Sequence, residues 1–237
     1  AAYCNKRGEL MSLIELRNVT KSYAIDNAVI DAVSNVSIEI AKGQFVSIVG
    51  HSGSGKTTLL SILGGIVKPT SGGVLFDGQD IYAFTSDELS EYRSKKIGFM
   101  FQFASLLPVL TAKENIMLPV LFRFNGSDGS GVSEEKALEL LEMVGLGDKI
   151  NAYPSQLSGG QQRRIAIARA FMNNPEVILA DEPTGDLDEE TEAEMMNFFK
   201  RMNNEKNITF IMVTHNTDLA MQTGRRLRMS NGVISEL

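Results

Sequence analysis

An α/β fold, built on a parallel-sheet core with a helical insert, is the architecture this sequence predicts, and three observations predict it. The run Gly50-His51-Ser52-Gly53-Ser54-Gly55-Lys56-Thr57 is a glycine-rich loop set between an apolar strand and a helix. Short β-branched runs such as Val177-Ile178-Leu179-Ala180 and Ile208-Thr209-Phe210-Ile211-Met212-Val213 recur between helical patterns, which is how buried parallel strands read. Between about 86 and 156 the chain changes character and becomes mostly helical.

The elements follow in order. Leu13 to Val19 and Val29 to Ile40 have the β-branched content and partial alternation of strands. Ala41-Lys42-Gly43-Gln44 is a turn leading into the strand Phe45-Val46-Ser47-Ile48-Val49. A helix is predicted from Thr57 to Ile66, broken by Pro69-Thr70-Ser71-Gly72-Gly73 before a strand and turn over Val74 to Gly78. Helices are predicted over Ser86 to Ser94 and Ala112 to Phe124, with a loop at Asn125 to Gly131. Ser133 is expected to cap a helix with an acidic first turn (Glu134, Glu135) that ends at Gly145. Its stripe of Ala137, Leu141 and Val144 is expected to be core. No internal repeat is visible.

Composition bounds the function. The chain has 237 residues, enough for one large core, and carries 23 Lys+Arg against 29 Asp+Glu for a net charge of −6. That acidic balance argues against nucleic acid as the main partner. Cys4 is the only cysteine, so no intrachain disulfide can form, consistent with a reducing compartment. No apolar run reaches the ~18 residues of a membrane span. Residues 1–10 lack the pattern of a signal peptide and are expected to be an extension or remnant ahead of a single domain over 11–237.

The motifs carry the chemistry. The loop from Gly50 to Thr57 is a P-loop: its glycines turn backbone N–H groups toward phosphates, Lys56 reaches the β/γ-phosphates and Thr57 offers its hydroxyl to Mg²⁺. The following helix presents its N-terminus, including Thr58, to the anion. His51 occupies a variable position of the loop and is assigned no metal. Ser158-Gly159-Gly160-Gln161 is formally a capping box. Its two glycines are poor helix formers, costing about 1 kcal/mol each, which makes sense where backbone must approach a ligand closely, here a phosphate at a second helix end. Asp181 and Glu182 end an apolar strand, where burying charge is costly without a metal or a proton transfer to serve.

The ordered set of P-loop, Phe99-Met100-Phe101-Gln102, Leu157-Ser158-Gly159-Gly160-Gln161, Val177 to Glu182 and Thr214-His215 resembles the nucleotide-binding subunits of ABC ATPases. The resemblance runs from about Leu13 to the C-terminus. It implies a P-loop NTPase core with an antiparallel β subdomain and an inserted α-helical subdomain at about 86–156. It also implies two subunits arranged head to tail, with two ATP molecules sandwiched between the P-loop of one and the Ser158-Gly159-Gly160-Gln161 signature of the other.

Roles follow by position. Asp181 is expected to orient Mg²⁺, Glu182 to act as general base, His215 to contact the γ-phosphate and hold that base, and Gln102 to sense Mg²⁺ and water and to couple to the helical insert. Tyr23 matches the aromatic that stacks on adenine, and Asp188 the aspartate of the loop Thr184-Gly185-Asp186-Leu187-Asp188, in which Asp186 adds an unfamiliar charge. Gln162-Arg163-Arg164 is expected to be a solvated helix face.

Phe103 to Pro108 and Leu110 to Pro119 look like the MacB/LolD group and the related antimicrobial-peptide resistance ATPases. The implied protein is a cytoplasmic ATPase, peripheral on the inner face of the membrane. It would drive a transmembrane permease that exports or extracts lipoprotein, macrolide, peptide or similar amphiphile. The apolar segment after Gln102 would meet that permease. An FtsE-like ATPase, regulating envelope enzymes without moving a substrate, stays open as an alternative. DNA-repair and translation ABC proteins need a long coiled-coil insertion or a second cassette, and neither is present in this chain.

Overall fold

The computed structural model describes residues 12–25, 28–121, 130–185 and 187–237. Two sheets organise it. Strands β1 (Ser12–Ile25) and β2 (Ala28–Ala41) pair antiparallel, and β4 (Ser71–Phe76) and β5 (Gln79–Asp80) extend that sheet in the order β2-β1-β4-β5. β1 and β2 are longer than their sequence signals. Asn18 and Asn35, inside the two strands, take positive φ beside register shifts, so the strands bend through bulges and continue.

The second sheet has the order β10-β9-β3-β8-β7-β6, formed by β3 (Phe45–Val49), β6 (Ile97–Met100), β7 (Val177–Asp181), β8 (Thr209–Thr214), β9 (Arg225–Ser230) and β10 (Val233–Glu236). All neighbours pair parallel except β10 with β9. Its central strands are buried on both faces, and alternate side chains serve two separate cores. Phe45, Ile178, Ala180, Phe210 and Met212 point to one side, with Val46, Ile48, Val177, Leu179, Ile211 and Val213 on the other. The antiparallel sheet and α1 (Lys56–Leu63) cover the second side. The first is covered by α5 (Gly159–Ala170) and α6 (Glu189–Lys206), together with α3 (Ala112–Leu121) and α4 (Ser130–Met143).

Helix boundaries differ from the sequence expectation where glycine or context intervenes. α1 stops at Leu63 rather than Ile66, because Gly64 and Gly65 follow and Gly65 takes φ 66°. α4 begins at Ser130, three residues before the expected cap at Ser133, and is closed by Gly145 at φ 68°. Residues 125–129 of the expected loop lie outside the described residues, and its last two residues already belong to α4. Ala137, Leu141 and Val144 are buried as expected.

The expected helical insert over 86–156 is not one continuous unit. α2 (Ser86–Lys95) packs with the antiparallel side, where Tyr92 meets Phe76 edge-on at 5.2 Å. β6 then adds an edge strand to the core sheet. The helices that share a core are α3, α4 and α5. Ile116, Leu141 and Ile165 lie in one cluster there. A short α7 (Thr217–Ala220), capped by Asn216, links β8 to β9.

Candidate functional site

Five parallel strands end on the same side of the core sheet, and the loops that leave β3, β6, β7 and β8 enclose a cleft of about 690 Å³. This is the position at which open α/β sheets take ligands. Each loop brings one of the expected motifs.

The P-loop follows β3 and runs straight into α1. Its shape requires glycine at two points. Gly55 caps α1 with φ 103°, and a Cβ there would stand 1.9 Å from the carbonyl oxygen of Ala32. A Cβ on Gly50 would stand 2.3 Å from the carbonyl oxygen of Met229. His51, Ser52, Gly53, Gly55, Lys56, Thr57 and Thr58 line the cleft. Gly50 and the buried Ser54 belong to the same loop without lining it. Lys56 is buried, and its ammonium donates to the carbonyls of Gly50 (2.7 Å) and His51 (2.9 Å).

Two carboxylates enter from the end of β7. Asp181 accepts a hydrogen bond from the Thr57 hydroxyl at 2.8 Å. Burial pushes its carboxyl above the usual range and the Glu182 charge adds to that, while Thr57, Lys56 and Arg163 oppose the shift. Glu182 takes φ 47°, a left-handed conformation uncommon for a side chain of this kind. Its carboxylate is held from β8 on two sides: the Thr214 hydroxyl donates at 3.2 Å, and Nδ1 of the exposed His215 lies at 2.8 Å. Gln102 is exposed and lines the cleft from the loop after β6. The structure therefore gathers Lys56, Thr57, Asp181, Glu182, His215 and Gln102 around one space.

The remaining expected residues lie elsewhere on the chain. The described lining of the cleft does not include Tyr23, Asp188 or the residues Ser158 to Gln161. Tyr23 is exposed on β1 with the Lys21 ammonium 5.1 Å from its ring centre. Asp188 caps α6, accepting from the Thr191 backbone at 3.0 Å and the Thr191 hydroxyl at 2.8 Å, which holds its carboxyl below the usual range. Asp186 lies outside the described residues. Ser158 and Gln161 do form the capping box of α5, through reciprocal bonds of 3.2 and 2.9 Å.

One expectation is overturned. The solvated face over Gln162-Arg163-Arg164 is in fact anchored: Arg163 is 3% exposed, and Arg164 donates to the Val144 carbonyl. Arg163 donates to the backbone carbonyls of Phe101 and Pro183, each at 2.8 Å, and to those of Gln102 and Glu182. The signal was available in the helical period, since residue 163 shares a face with the buried Ala166, Ile167 and Ala170.

The donor set suits a hard divalent cation: a hydroxyl, a largely buried carboxylate whose partners do not fully offset the cost of its charge, and an exposed amide oxygen. Among the described residues no cluster of three or more His, Cys, Asp or Glu offers a metal site of its own. Among them, too, no helix is long and apolar enough to cross a membrane.

Comparison with known proteins agrees with this geometry. Residues 33–185 match the family described as ABC transporter. An ABC transporter ATP-binding protein of Methanocaldococcus jannaschii, MJ0796, is 45% identical over 94% of this chain and 95% of its own length. A dimeric, post-hydrolysis structure of that cassette bound to ADP and Pi superposes with a TM-score of 0.88 over 94% of this chain and 98% of that chain. The lipoprotein-releasing system ATP-binding protein LolD of Myxococcus xanthus is 42% identical over 95% of this chain and all of its own length. The macrolide export ATP-binding/permease protein MacB of Syntrophobacter fumaroxidans is 46% identical over 94% of this chain, which spans only 31% of that relative.

Proposed function

The chain belongs to the ABC transporter family as an ATP-binding ATPase subunit, and on that premise we propose that it works as an ATP-closed homodimer that drives a membrane permease to export or extract an amphiphile. The observation that carries the reading is the convergence of Lys56, Thr57, Asp181, Glu182, His215 and Gln102 on one cleft at the strand ends.

The chemistry follows from what each group already does. Lys56, backed by the carbonyls of Gly50 and His51, turns its charge to the β/γ-phosphates while the N-terminus of α1 receives the others. Thr57 and Asp181 are the residues that would hold Mg²⁺, with Gln102 beside them. When bound, the cation would supply neutralisation of the phosphate charge. Glu182 accepts the proton of the attacking water. His215 and Thr214 fix the carboxylate, so that it faces the cleft in one orientation. His215 is exposed enough to reach the γ-phosphate as well.

The helix end at Ser158 acts across the dimer. A Cβ on Gly159 would meet nothing within 4 Å, so packing within one chain does not call for glycine there. An anion on a second copy of the chain does. Tyr23, exposed at the sheet edge, is the adenine platform, and Asp188 braces the loop at the dimer contact from its place as the cap of α6. The domain runs from 11 to 237.

The permease docks on the segment after Gln102, where Phe103, Leu107 and Val109 are exposed. Association at the inner face of the membrane follows from that contact. LolD and MacB, by their names, serve lipoprotein release and macrolide export; a lipid-modified protein or a hydrophobic small molecule is the cargo class proposed here. The test is a mixture of two inactive chains, Ser158→Arg and Lys56→Ala. The mixture is expected to recover ATPase activity, because one composite site in each heterodimer is intact. No recovery in a mixture shown to form heterodimers overturns the shared site.

A further inference from the structure

Arg163 is a charged side chain buried to 3% exposure whose guanidinium faces backbone carbonyls drawn from two loops of the cleft. From α5, Nη1 donates to the carbonyls of Phe101 and Gln102, Nη2 to Glu182 and Nε to Pro183. Phe101 and Gln102 belong to the loop that leaves β6; Glu182 and Pro183 belong to the loop that leaves β7. No backbone hydrogen bond is recorded between these two loops in the described residues. The planar fork of the guanidinium is therefore a fixed spacer between them.

We infer that Arg163 is a positioning residue for hydrolysis: it sets the base Glu182 against Gln102, and it ties both to the helix whose first turn is Ser158 to Gln161. Two features give this its physical content. Glu182 sits at φ 47°, a backbone state that a neighbouring structure must hold in place, and the Arg163 bond to its carbonyl does so directly. The side chain of Glu182 has its own anchors on β8, Thr214 and His215. β8 thus holds the side chain of the base and, through the bond from its N–H to the Val213 carbonyl (3.0 Å), its main chain as well; Arg163 is the contact among these that comes from α5. A movement of the α3–α4–α5 group would be carried by Arg163 to the backbone of Glu182 and Gln102 together, against the β8 bonds that hold the Glu182 main chain at Val213 and its side chain at Thr214.

The inference rests on Glu182 acting as the base. Arg163→Met keeps the length of the stem and removes the fork. Misplacing a catalytic group by a fraction of an ångström to one ångström costs on the order of ten- to a hundredfold in rate. The expected result is a kcat lower by that factor per nucleotide-binding site, with ATP affinity within about threefold of wild type. Arg163→Lys, a point charge that reaches fewer carbonyls, is expected to recover part of the loss. The double variant Arg163→Met/Glu182→Gln is expected to hydrolyse no more slowly than Glu182→Gln, since there is no base left to misplace. A general loss of structure would instead lower affinity and rate together, and would multiply with Glu182→Gln. An unchanged kcat in Arg163→Met, or in Arg163→Lys should the Met variant not fold, overturns the inference. Full activity in Glu182→Gln alone would instead bring down the reading of the base, whatever Arg163 does.

Discussion

At the residue scale, Asp181 shows how a fold stores a cost for a ligand to relieve. Burial raises its carboxyl above the usual range, so folding favours the protonated form. The contribution to stability is then fully present below the ordinary carboxylate range and is lost as pH rises through the raised value. At neutral pH the charge is a liability unless a cation is bound. Asp181→Asn is therefore expected to raise Tm at pH 7 in buffer without nucleotide or metal, with the gap closing as pH falls, while Mg²⁺-dependent ATP binding weakens. A lower Tm at pH 7 would contradict the argument. Glu182→Gln is expected to keep ATP binding and to slow hydrolysis by about 10²–10⁴, the ordinary worth of a general base; single-turnover kinetics read this directly. Residues of this sort were legible in the sequence because each lies in a short contiguous pattern. For Arg163 the helical period shows the burial but not the partners, which come from positions about 20 and about 60 residues distant.

At the element scale, the segment after Gln102 is pinned by two helices: Arg169 of α5 donates to the carbonyls of Ala104 and Ser105 at 2.9 and 3.1 Å, and a buried amide of α3 holds the part that follows. Asn115, in α3, has no solvent exposure. Its Nδ2 donates to the carbonyls of Leu107, Leu110 and Thr111 at 3.1, 3.0 and 3.0 Å, and its Oδ1 accepts from the Leu107 backbone at 2.8 Å. Replacing it with leucine would strand those carbonyls. Asn115→Leu is expected to destabilise the protein by about 1–3 kcal/mol, the cost of leaving a buried polar group unpaired, and denaturant midpoints measure it. Basal ATPase activity should suffer less than activity stimulated by a permease, because the cleft loops keep their own anchors. The strands and most helices were readable from periodicity, but their ends were not. The bulges at Asn18 and Asn35 were not legible either, because they arise from the register between β1 and β2 and not from either run by itself. The strand that ends near Gln102 is legible in its apolar run, but β6 is four residues long and its place at the edge of the core sheet is set only by its pairing with β7.

At the scale of the whole molecule, the two faces of the cleft belong to different chains in the proposed assembly. The P-loop lies on one side of the cassette, and Ser158 does not line the same cleft. Light scattering of Glu182→Gln is expected to give a dimer with Mg²⁺ and ATP and a monomer with ADP, as closure requires tighter binding to the closed state. A monomer in both would remove the differential on which the transport cycle depends. The fold class, and the order of motifs along it, were plain in the sequence because a doubly buried sheet leaves continuous apolar runs. The division of the core was not, since residues 46 and 45, or 178 and 179, are neighbours in sequence and end on opposite sides of the sheet.

The P-loop's own bonds have a thermodynamic corollary. Lys56 rests on two carbonyls of its loop, and Thr57 rests on Asp181. Nucleotide uptake is thus a trade of partners on a frame already set, with little chain left to order. Calorimetry of ATP binding to a single subunit should show a heat-capacity change far smaller than coupled folding produces, with a binding enthalpy nearly constant across temperature. The steep, entropy-laden part of the cycle then falls to the meeting of two subunits.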